Sequence, residues 1–479
     1  MSHPDRKKHV HLIGIGGSGM SSLAGLFQEI GWRVSGCDKA AVYPPSSITL
    51  SNLGIKPICG FNPHHLDTTT DLVIVGNIVR RDNPEDIAAR AQGMERLHMA
   101  AALFEYFIQH KSSVVVSGTH GKTTCSSLLS FLLTRMGLDP GYFIGGVIRD
   151  LGTSYHLGTG EHFIVEGDEY DCAWFDKQPK FLHYHPRHLL MTNVEFDHAD
   201  IYNSIEDVIQ SFTRLVECMP PDGCIVYCKD SPLLTEIVHD AACPVVSYSE
   251  SRRDADWRCE YIGNHDGMPQ YNLMCREKIA GRFSSKLMGR HNALNVTGVL
   301  ALIQSMGLEI AEALSFLPEF SGAERRMQIR TTGDVTLIDD FAHHPTEINA
   351  TLSAIKDRWP SHRVWALYEP KTQTSRRSVF QDETAGSLMR ADGVLILEPE
   401  DVSGILPESR IDISGLCDTI RSEGTQCHSF SSIEMLIHFL VPRLNEPNTI
   451  IVLMSAGSFH GLGAILEREI VERKLGSPI

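Results

Sequence analysis

An apolar run that ends in a turn rich in glycine or small polar residues, followed by apolar residues at helical spacing, occurs three times in this chain of 479 residues. In the first, "HVHLIGIGGSGMSSLAGLFQEIGWRVSGCD", apolar residues from Val10 to Ile15 run through Gly14, Gly16 and Gly19. A helical pattern then continues to Ile30, and a second strand ends near Asp38. In the second, "VVVSGTHGKTTCSSLLSFLL" from Val114 to Leu133, the turn carries Gly121, Lys122 and Thr123. The third, "GDVTLIDDFAHHPTEINATLSAI", reads as strand, loop and helix, with further strands at "HRVWALYEP", "ADGVLILEP" and "NTIIVLMSAGS". Strands alternating with helices pair in parallel, because each helix returns the chain to the same end of the sheet. The expected fold class is therefore α/β with mainly parallel sheets. At roughly 150 residues per domain the length suits about three domains. The polar stretches "QHKSS" and "PEFSGAERR" place the boundaries, giving segments 1–110, 111–322 and 323–479.

Composition excludes several classes. The net charge of −16 disfavours a broad phosphate-backbone surface, so no nucleic-acid partner is expected. No run of about eighteen apolar residues occurs, and the N-terminus passes from charged residues straight into a strand pattern. No membrane partner is expected, and a cytoplasmic location is. The twelve cysteines are scattered, without the paired C-x-x-C spacing of a zinc site. Free thiols in a reducing compartment are the expectation. The histidines of "HYHPRH" at 183–188 are expected as ordinary surface residues of an alternating strand.

Gly14, Gly16 and Gly19 lie between strand and helix, and Asp38 follows 19 residues after Gly19. That spacing lets backbone approach a pyrophosphate while the helix N-terminus supplies N–H groups and partial positive charge. It identifies a diphosphate better than the group attached to it. A nicotinamide or flavin cofactor, another diphosphate ligand and a purely structural turn all remain open.

In the second repeat, Gly118 and Gly121 allow N–H groups to curl round phosphate oxygens. Lys122 can reach the terminal phosphates, and the Thr123 hydroxyl suits Mg²⁺. The generic eight-residue pattern wants glycine at 116, where Val116 continues the strand; a helix N-terminus capped by Thr119 or Thr123 is the plainer alternative. Acidic partners favour the phosphate reading. "HFIVEGDEYD" sets Glu166, Asp168, Glu169 and Asp171 after one apolar strand, and "LLMTNVEFDHADIY" sets Glu195, Asp197, His198 and Asp200 after another. Carboxylates at strand C-termini of a parallel sheet face the edge where phosphates bind. His198 is as suited to orienting a carboxylate as to touching so hard a cation.

"GIGGSGMSSLAGL", "SGTHGKTT", "VEGDEYD", "NVEFDHAD", "GRHNALNVTG", "GAERRMQ" and "DDFAHHPTEI" stand in the order and spacing of the Mur ligases, and the chain resembles that family along nearly its whole length. The resemblance implies ATP-dependent amide-bond formation in peptidoglycan metabolism. It further implies an N-terminal Rossmann-like domain for UDP-N-acetylmuramate, a central P-loop ATPase domain and a C-terminal Rossmann-like acceptor domain. Carried over by position, Gly118, Thr119, His120, Gly121, Lys122, Thr123 and Thr124 would cradle ATP, and Asn292 and Asn295 would lie on its adenine side. Arg326 and Asp340 would open the domain that closes over the nucleotide. Thr123, Glu166 and His198 would serve Mg²⁺, and Gly16, Ser18, Gly19, Met20 and Asp38 would belong to the UDP site.

The implied chemistry makes the lactyl carboxylate an acyl phosphate, which an acceptor amine then attacks. Lys122 would neutralise charge on the transferring group, and His344 or His198 would serve as base, although a structural His-Pro turn suits His344 equally. Within the family the chain most resembles the branch that joins a murein tripeptide to UDP-N-acetylmuramate; addition of a single L-alanine is the near alternative. The loop "EPKTQTSRRSVFQDE" lacks the His-Arg-Tyr-type motif of L-alanine addition and offers Lys371, Arg376 and Arg377 to a longer anionic acceptor. A nicotinamide-dependent oxidoreductase is the rival from another class; it explains Gly14 to Asp38 but leaves Lys122 and the acidic strand ends without a task.

Overall fold

The computed structural model describes residues 6–265 and 268–474. The first repeat builds a five-stranded sheet in the order Ile58–Cys59, Arg33–Asp38, His9–Ile13, Leu72–Val75, Arg96–His98, every pair parallel. Its two central strands, "HVHLI" and "LVIV", are buried at every position, as strands covered on both faces must be.

The second repeat nucleates a ten-stranded sheet. Seven strands run parallel in the order Trp257–His265, Val245–Ser249, Cys224–Cys228, His188–Met191, Ser112–Ser117, His162–Gly167, Gly141–Ile148. Antiparallel strands extend both edges. Ser112–Ser117 lies inside this sheet, so the loop after it opens at the C-terminal edge between two acid-bearing strand ends. The third sheet has six strands, in the order Gln328–Thr331, Val335–Asp340, Thr449–Ser455, Arg363–Glu369, Gly393–Leu397, Gln426–Phe430, parallel except for the first. The α/β class with mainly parallel sheets is thus the fold observed.

The three domains of this fold pack as two compact units. One comprises residues 1–196, 204–284 and 294–320; the other comprises 197–203, 285–293 and 321–479. Within the first unit the five-stranded and ten-stranded sheets are joined by specific contacts. Ser22 Oγ meets Ser154 Oγ at 2.9 Å, Leu157 N–H donates to Glu29 at 2.8 Å, and Trp174 Nε1 donates to Asp86 at 3.1 Å. Segments 197–203 and 285–293, central by sequence, join the second unit through burial and hydrogen bonding. Met288 packs with Ile348, Leu352 and Ala354, and Ala199 N–H donates to Thr374 Oγ1 at 3.2 Å.

The tract at 183–188 departs from the expected strand. Lys180–His183 is a 3-10 turn and the strand begins only at His188, because Pro186 has no N–H to give to a sheet. Tyr184 is buried, and His183 Nε2 and His98 Nε2 each lie 3.2 Å from Asp176 Oδ2.

Gly25, inside the helix Ser18–Glu29, faces the Tyr155 ring so closely that a Cβ would stand 2.1 Å from Cζ. A β-branched side chain gains little helix propensity over glycine, whereas overpacking costs about 1–3 kcal/mol. Gly25→Val is therefore expected to lower the calorimetric unfolding temperature of the first unit, and adding Tyr155→Ala should recover part of the loss. An unchanged transition in Gly25→Val would contradict this packing.

Candidate active site

Strand Ser112–Ser117 ends at Gly118, and helix Lys122–Arg135 begins four residues later. The turn needs glycine twice: Gly118 has φ +135° and Gly121 φ +83°. A Cβ at Gly118 would lie 2.1 Å from Thr192 Oγ1, so the loop rests directly on the end of the neighbouring strand. Thr119 N–H donates to Asn193 O at 3.0 Å, His120 N–H to Asn193 Oδ1 at 2.8 Å, and Glu195 N–H to Thr119 Oγ1 at 2.9 Å. Thr119 therefore ties the loop to the next strand end rather than capping the helix, whose cap is Gly121.

Lys122 Nζ donates to Gly118 O at 2.6 Å and to Glu169 Oε2 at 2.9 Å. Burial disfavours its charge, but Glu169, Asp168 and Glu166 outweigh that and raise its pKa. A fixed ammonium thus stands at the mouth of the loop. Thr123 Oγ1 donates to Glu166 Oε2 at 3.1 Å, while Glu166 Oε1 accepts from Gly145 N–H at 2.8 Å. This hydroxyl–carboxylate pair is a hard-oxygen donor set of the kind Mg²⁺ takes. Asn295 also belongs to this unit, its Oδ1 standing 3.0 Å from where a Gly121 Cβ would be.

In the N-terminal sheet, Gly14 and Ile15 N–H both donate to Cys37 O, at 2.9 and 3.0 Å, and Gly16 N–H donates to Asp38 Oδ2 at 2.8 Å. Gly17 caps the helix Ser18–Glu29 without a side-chain bond, and its first turn holds no acid, which leaves an anion-ready N-terminus. Ser18 is exposed there, and Gly19 passes so close to Met99 that a Cβ would meet its sulfur at 2.8 Å. Met20 is buried and serves the core with its side chain.

Glu85, fully buried, braces this region by accepting from Asn62 N–H at 2.8 Å and Cys37 Sγ at 2.6 Å. The tautomers upstream follow from one donor. Arg33 donates to His9 Nδ1 at 2.7 Å, so His9 Nε2–H donates to Ser35 Oγ, Ser35 O–H to His11 Nδ1, and His11 Nε2–H to Glu85. Burial and Arg33 hold His9 neutral, with its pKa lowered to about 4. The grouping of His11, Cys37 and Glu85 is thus explained as a hydrogen-bonded relay rather than a metal centre.

The second unit carries a cavity lined by Asp197, His343, His344, Thr374, Arg377 and Phe380, among others. Against burial, His198 and His343 hold the Asp197 pKa down at about 2. Against burial too, Glu347 and Asp197 raise the His343 pKa; its Nδ1 lies 3.2 Å from Glu347 Oε2. His344 caps helix Pro345–Arg358, Nδ1 accepting from Thr346 N–H at 3.3 Å, which puts the proton of the neutral ring on Nε2. That is the His-Pro turn in its capping role, with no lone pair left on Nε2 in this tautomer.

Of the loop's three basic residues Lys371, Arg376 and Arg377, the last lines the cavity, and its buried Nε has no hydrogen-bond partner among the described residues. Arg376 donates to the carbonyls of Thr372 and Asp401, and Lys371 pairs with Glu369 at 3.3 Å. His198, at φ +54°, donates its N–H to Asp197 at 2.6 Å, and Asn292 Nδ2 donates to Met288 O at 2.7 Å. Arg326 stacks on Phe341 with its guanidinium carbon 4.7 Å from the ring centroid. Asp340 accepts from Met327 and Ala342 N–H at 2.6 and 2.7 Å.

Comparison with known proteins agrees with this arrangement. The Mur ligase family catalytic domain matches residues 9–111, the Mur ligase middle domain 116–303, and the Mur ligase, glutamate ligase domain 325–457. The chain belongs to the Mur ligase family. As a Mur ligase it is an ATP-dependent enzyme that forms a C–N bond. It is 33% identical over 458 residues, 95% of this chain and 96% of the other, to UDP-N-acetylmuramate--L-alanyl-gamma-D-glutamyl-meso-2,6-diaminoheptandioate ligase of Escherichia coli strain K12. It is 30% identical to UDP-N-acetylmuramate--L-alanine ligase of Acetivibrio thermocellus, over 97% of each chain. Among solved structures, a murein peptide ligase from Psychrobacter arcticus superposes with a TM-score of 0.73 at 29% identity, covering 97% of this chain and 98% of that one.

The oxidoreductase alternative falls with this assignment. Asp38, the residue a nicotinamide cofactor's ribose would need, has one carboxylate oxygen on Gly16 N–H and the other on Lys39 N–H at 2.7 Å. Sequence reasoning missed Asn193, which bonds two loop residues. It also missed Thr374 and Phe380, which reach the cavity from turns with no motif; the Thr-Asn pair ending "LLMTN" was the only available signal.

Burial dominates Asp340 and raises its pKa from 3.8 to about 6. A carboxyl whose folded pKa is raised contributes stability at low pH that fades as pH rises through the folded value. Between about pH 4 and pH 6 the wild type should therefore lose stability relative to Asp340→Asn, on the order of 2 kcal/mol across the window. Urea titrations of both proteins at several pH values check this; parallel pH slopes would contradict it.

Proposed function

We propose that this Mur ligase joins the amine of L-alanyl-γ-D-glutamyl-meso-diaminopimelate to the lactyl carboxylate of UDP-N-acetylmuramate, at the expense of ATP, in cytoplasmic peptidoglycan recycling. In this reading residues 1–110 hold the UDP-sugar on the Gly16–Met20 turn beside Asp38, 111–322 hold ATP, and 323–479 bring the peptide. The observation that carries the acceptor assignment is the cavity in which the Arg377 guanidinium stands near ionised Asp197, beside His343, whose pKa Glu347 and Asp197 raise against burial. Cations suit the carboxylates of a peptide ending in diaminopimelate, and an anion suits its ammonium group. Supporting it is the chain-long similarity to the Escherichia coli enzyme, whose name carries the same substrates.

The chemistry follows from charge. A carboxylate is a poor acylating group, so its oxygen first takes the γ-phosphoryl group of ATP, releasing ADP. The acceptor amine then attacks the carbonyl carbon, and phosphate leaves as the nitrogen loses its proton. Lys122, held charged by Glu169, neutralises the phosphates in a site of low dielectric, where one such contact contributes about 3 kcal/mol. Thr123 and Glu166 would hold Mg²⁺, which supplies further charge neutralisation when bound.

Lys122→Ala is expected to lower turnover by roughly 10²-fold or more with an unchanged circular dichroism spectrum. The acceptor assignment is tested by ATP turnover with UDP-N-acetylmuramate and a panel of amino acids and peptides. The tripeptide should be consumed far faster than L-alanine at equal concentration, and a preference for L-alanine would transfer the chain to the other branch. Arg377→Ala should raise the peptide KM by about tenfold or more, since a charged hydrogen bond contributes about 1.5–3 kcal/mol. The KM for ATP should stay within about twofold, and Arg376→Ala should have the smaller effect, because that side chain is engaged by main-chain carbonyls.

A further inference from the structure

Two thiols in the second unit face each other across the last layer of its sheet. Cys417 lies on helix Ile413–Ser422 and Cys427 on strand Gln426–Phe430, and both are buried. The Cys427 thiol donates to Cys417 Sγ at 3.0 Å, about 1 Å beyond disulfide bonding distance. The hydrogen bond from Cys427, and then Arg421 one helical turn away, lower the Cys417 pKa against burial and the Asp418 charge. Cys427 is correspondingly the protonated partner. Its strand is an edge strand of the six-stranded sheet, hydrogen-bonded to a neighbouring strand on one side only.

The helix bearing Cys417 is tied to the loop that lines the cavity. Just before it, Ile411 N–H donates to Arg376 O at 3.0 Å, Arg410 bridges to Arg377, and Asp412 N–H donates to Gln381 Oε1 at 2.8 Å. Residues 410–412 thus brace the Arg377 loop from the helix that a cross-link would hold.

We propose that Cys417 and Cys427 form a dithiol that a hydroperoxide closes reversibly to a disulfide, stiffening the brace of the Arg377 loop. The Cys417 thiolate attacks one peroxide oxygen and breaks the O–O bond, giving a sulfenic acid and, after protonation of the leaving oxygen, water. The Cys427 sulfur, losing its proton, then displaces the sulfenic oxygen as a second water. Two thiols and one hydrogen peroxide become one disulfide and two waters, and a dithiol reductant reverses the change.

The test treats the folded full-length protein with hydrogen peroxide, blocks remaining thiols after unfolding, and maps peptides by mass spectrometry with and without dithiothreitol. A Cys417–Cys427 cross-link, 2 Da lighter than the two thiol peptides together, should form and disappear on reduction. Amide exchange of Ile411 should slow several-fold in the oxidised protein, and unfolding should shift upward by on the order of 5 °C, since the bond closes a loop of about ten residues. Cys427→Ala should abolish the cross-link and both shifts. The proposal is overturned if Cys417 and Cys427 remain alkylatable while exposed Cys59 and Cys218 oxidise, if the cross-link forms only in unfolded protein, or if Ile411 exchange is unchanged in the cross-linked form. Peptide mapping of the wild type stands whether or not the variant folds.

Discussion

The approach of the Gly118 backbone to Thr192 governs the catalytic half of this enzyme. Only a residue without Cβ lets the chain leave strand Ser112–Ser117, cross the end of strand His188–Met191 and turn into a helix within four residues. Once the loop lies there, Asn193 accepts its N–H groups, Thr192 Oγ1 donates to His120 O at 2.5 Å, and Lys122 is drawn back over Gly118. The ion pair with Glu169 then fixes the ammonium in place. Both partners are nearly buried, so the cost of desolvating them offsets much of their attraction, and the pair specifies geometry more than it adds stability.

The same economy appears in the N-terminal sheet. Cys37 O receives two loop N–H groups, the Cys37 thiol donates to Glu85, and Glu85 is anchored by donors from a strand and a loop. A single buried carboxylate thereby couples the end of strand Arg33–Asp38 to the glycine turn. The cost of burying it is offset because its donors favour the charged form, which lowers its pKa despite desolvation.

The glycine motifs, the Lys122–Thr123 pair and the acidic strand ends were legible because each is a local pattern whose spacing follows from one strand and one turn. The parallel order of the sheets followed from the alternation of strand and helix. Less legible was the basic loop: "TSRR" presents two adjacent arginines as equivalents, yet Arg376 is taken up by the Asp401 carbonyl and Arg377 lines the cavity. Adjacent side chains diverge according to the backbone of their loop, and composition carries no record of that.

By itself the sequence determined the α/β class, the Gly118–Thr123 turn between strand and helix and the ligase family, since these depend on residues near one another in the chain. Only the tertiary structure decided that segments 197–203 and 285–293 join the C-terminal unit, that His344 spends its Nδ1 lone pair on a helix cap, and that Cys417 faces Cys427. The reason is physical. Periodicity and turn chemistry are short-range, whereas the partner a buried donor finds is set by which surfaces exclude water together, and that is a property of the packed fold.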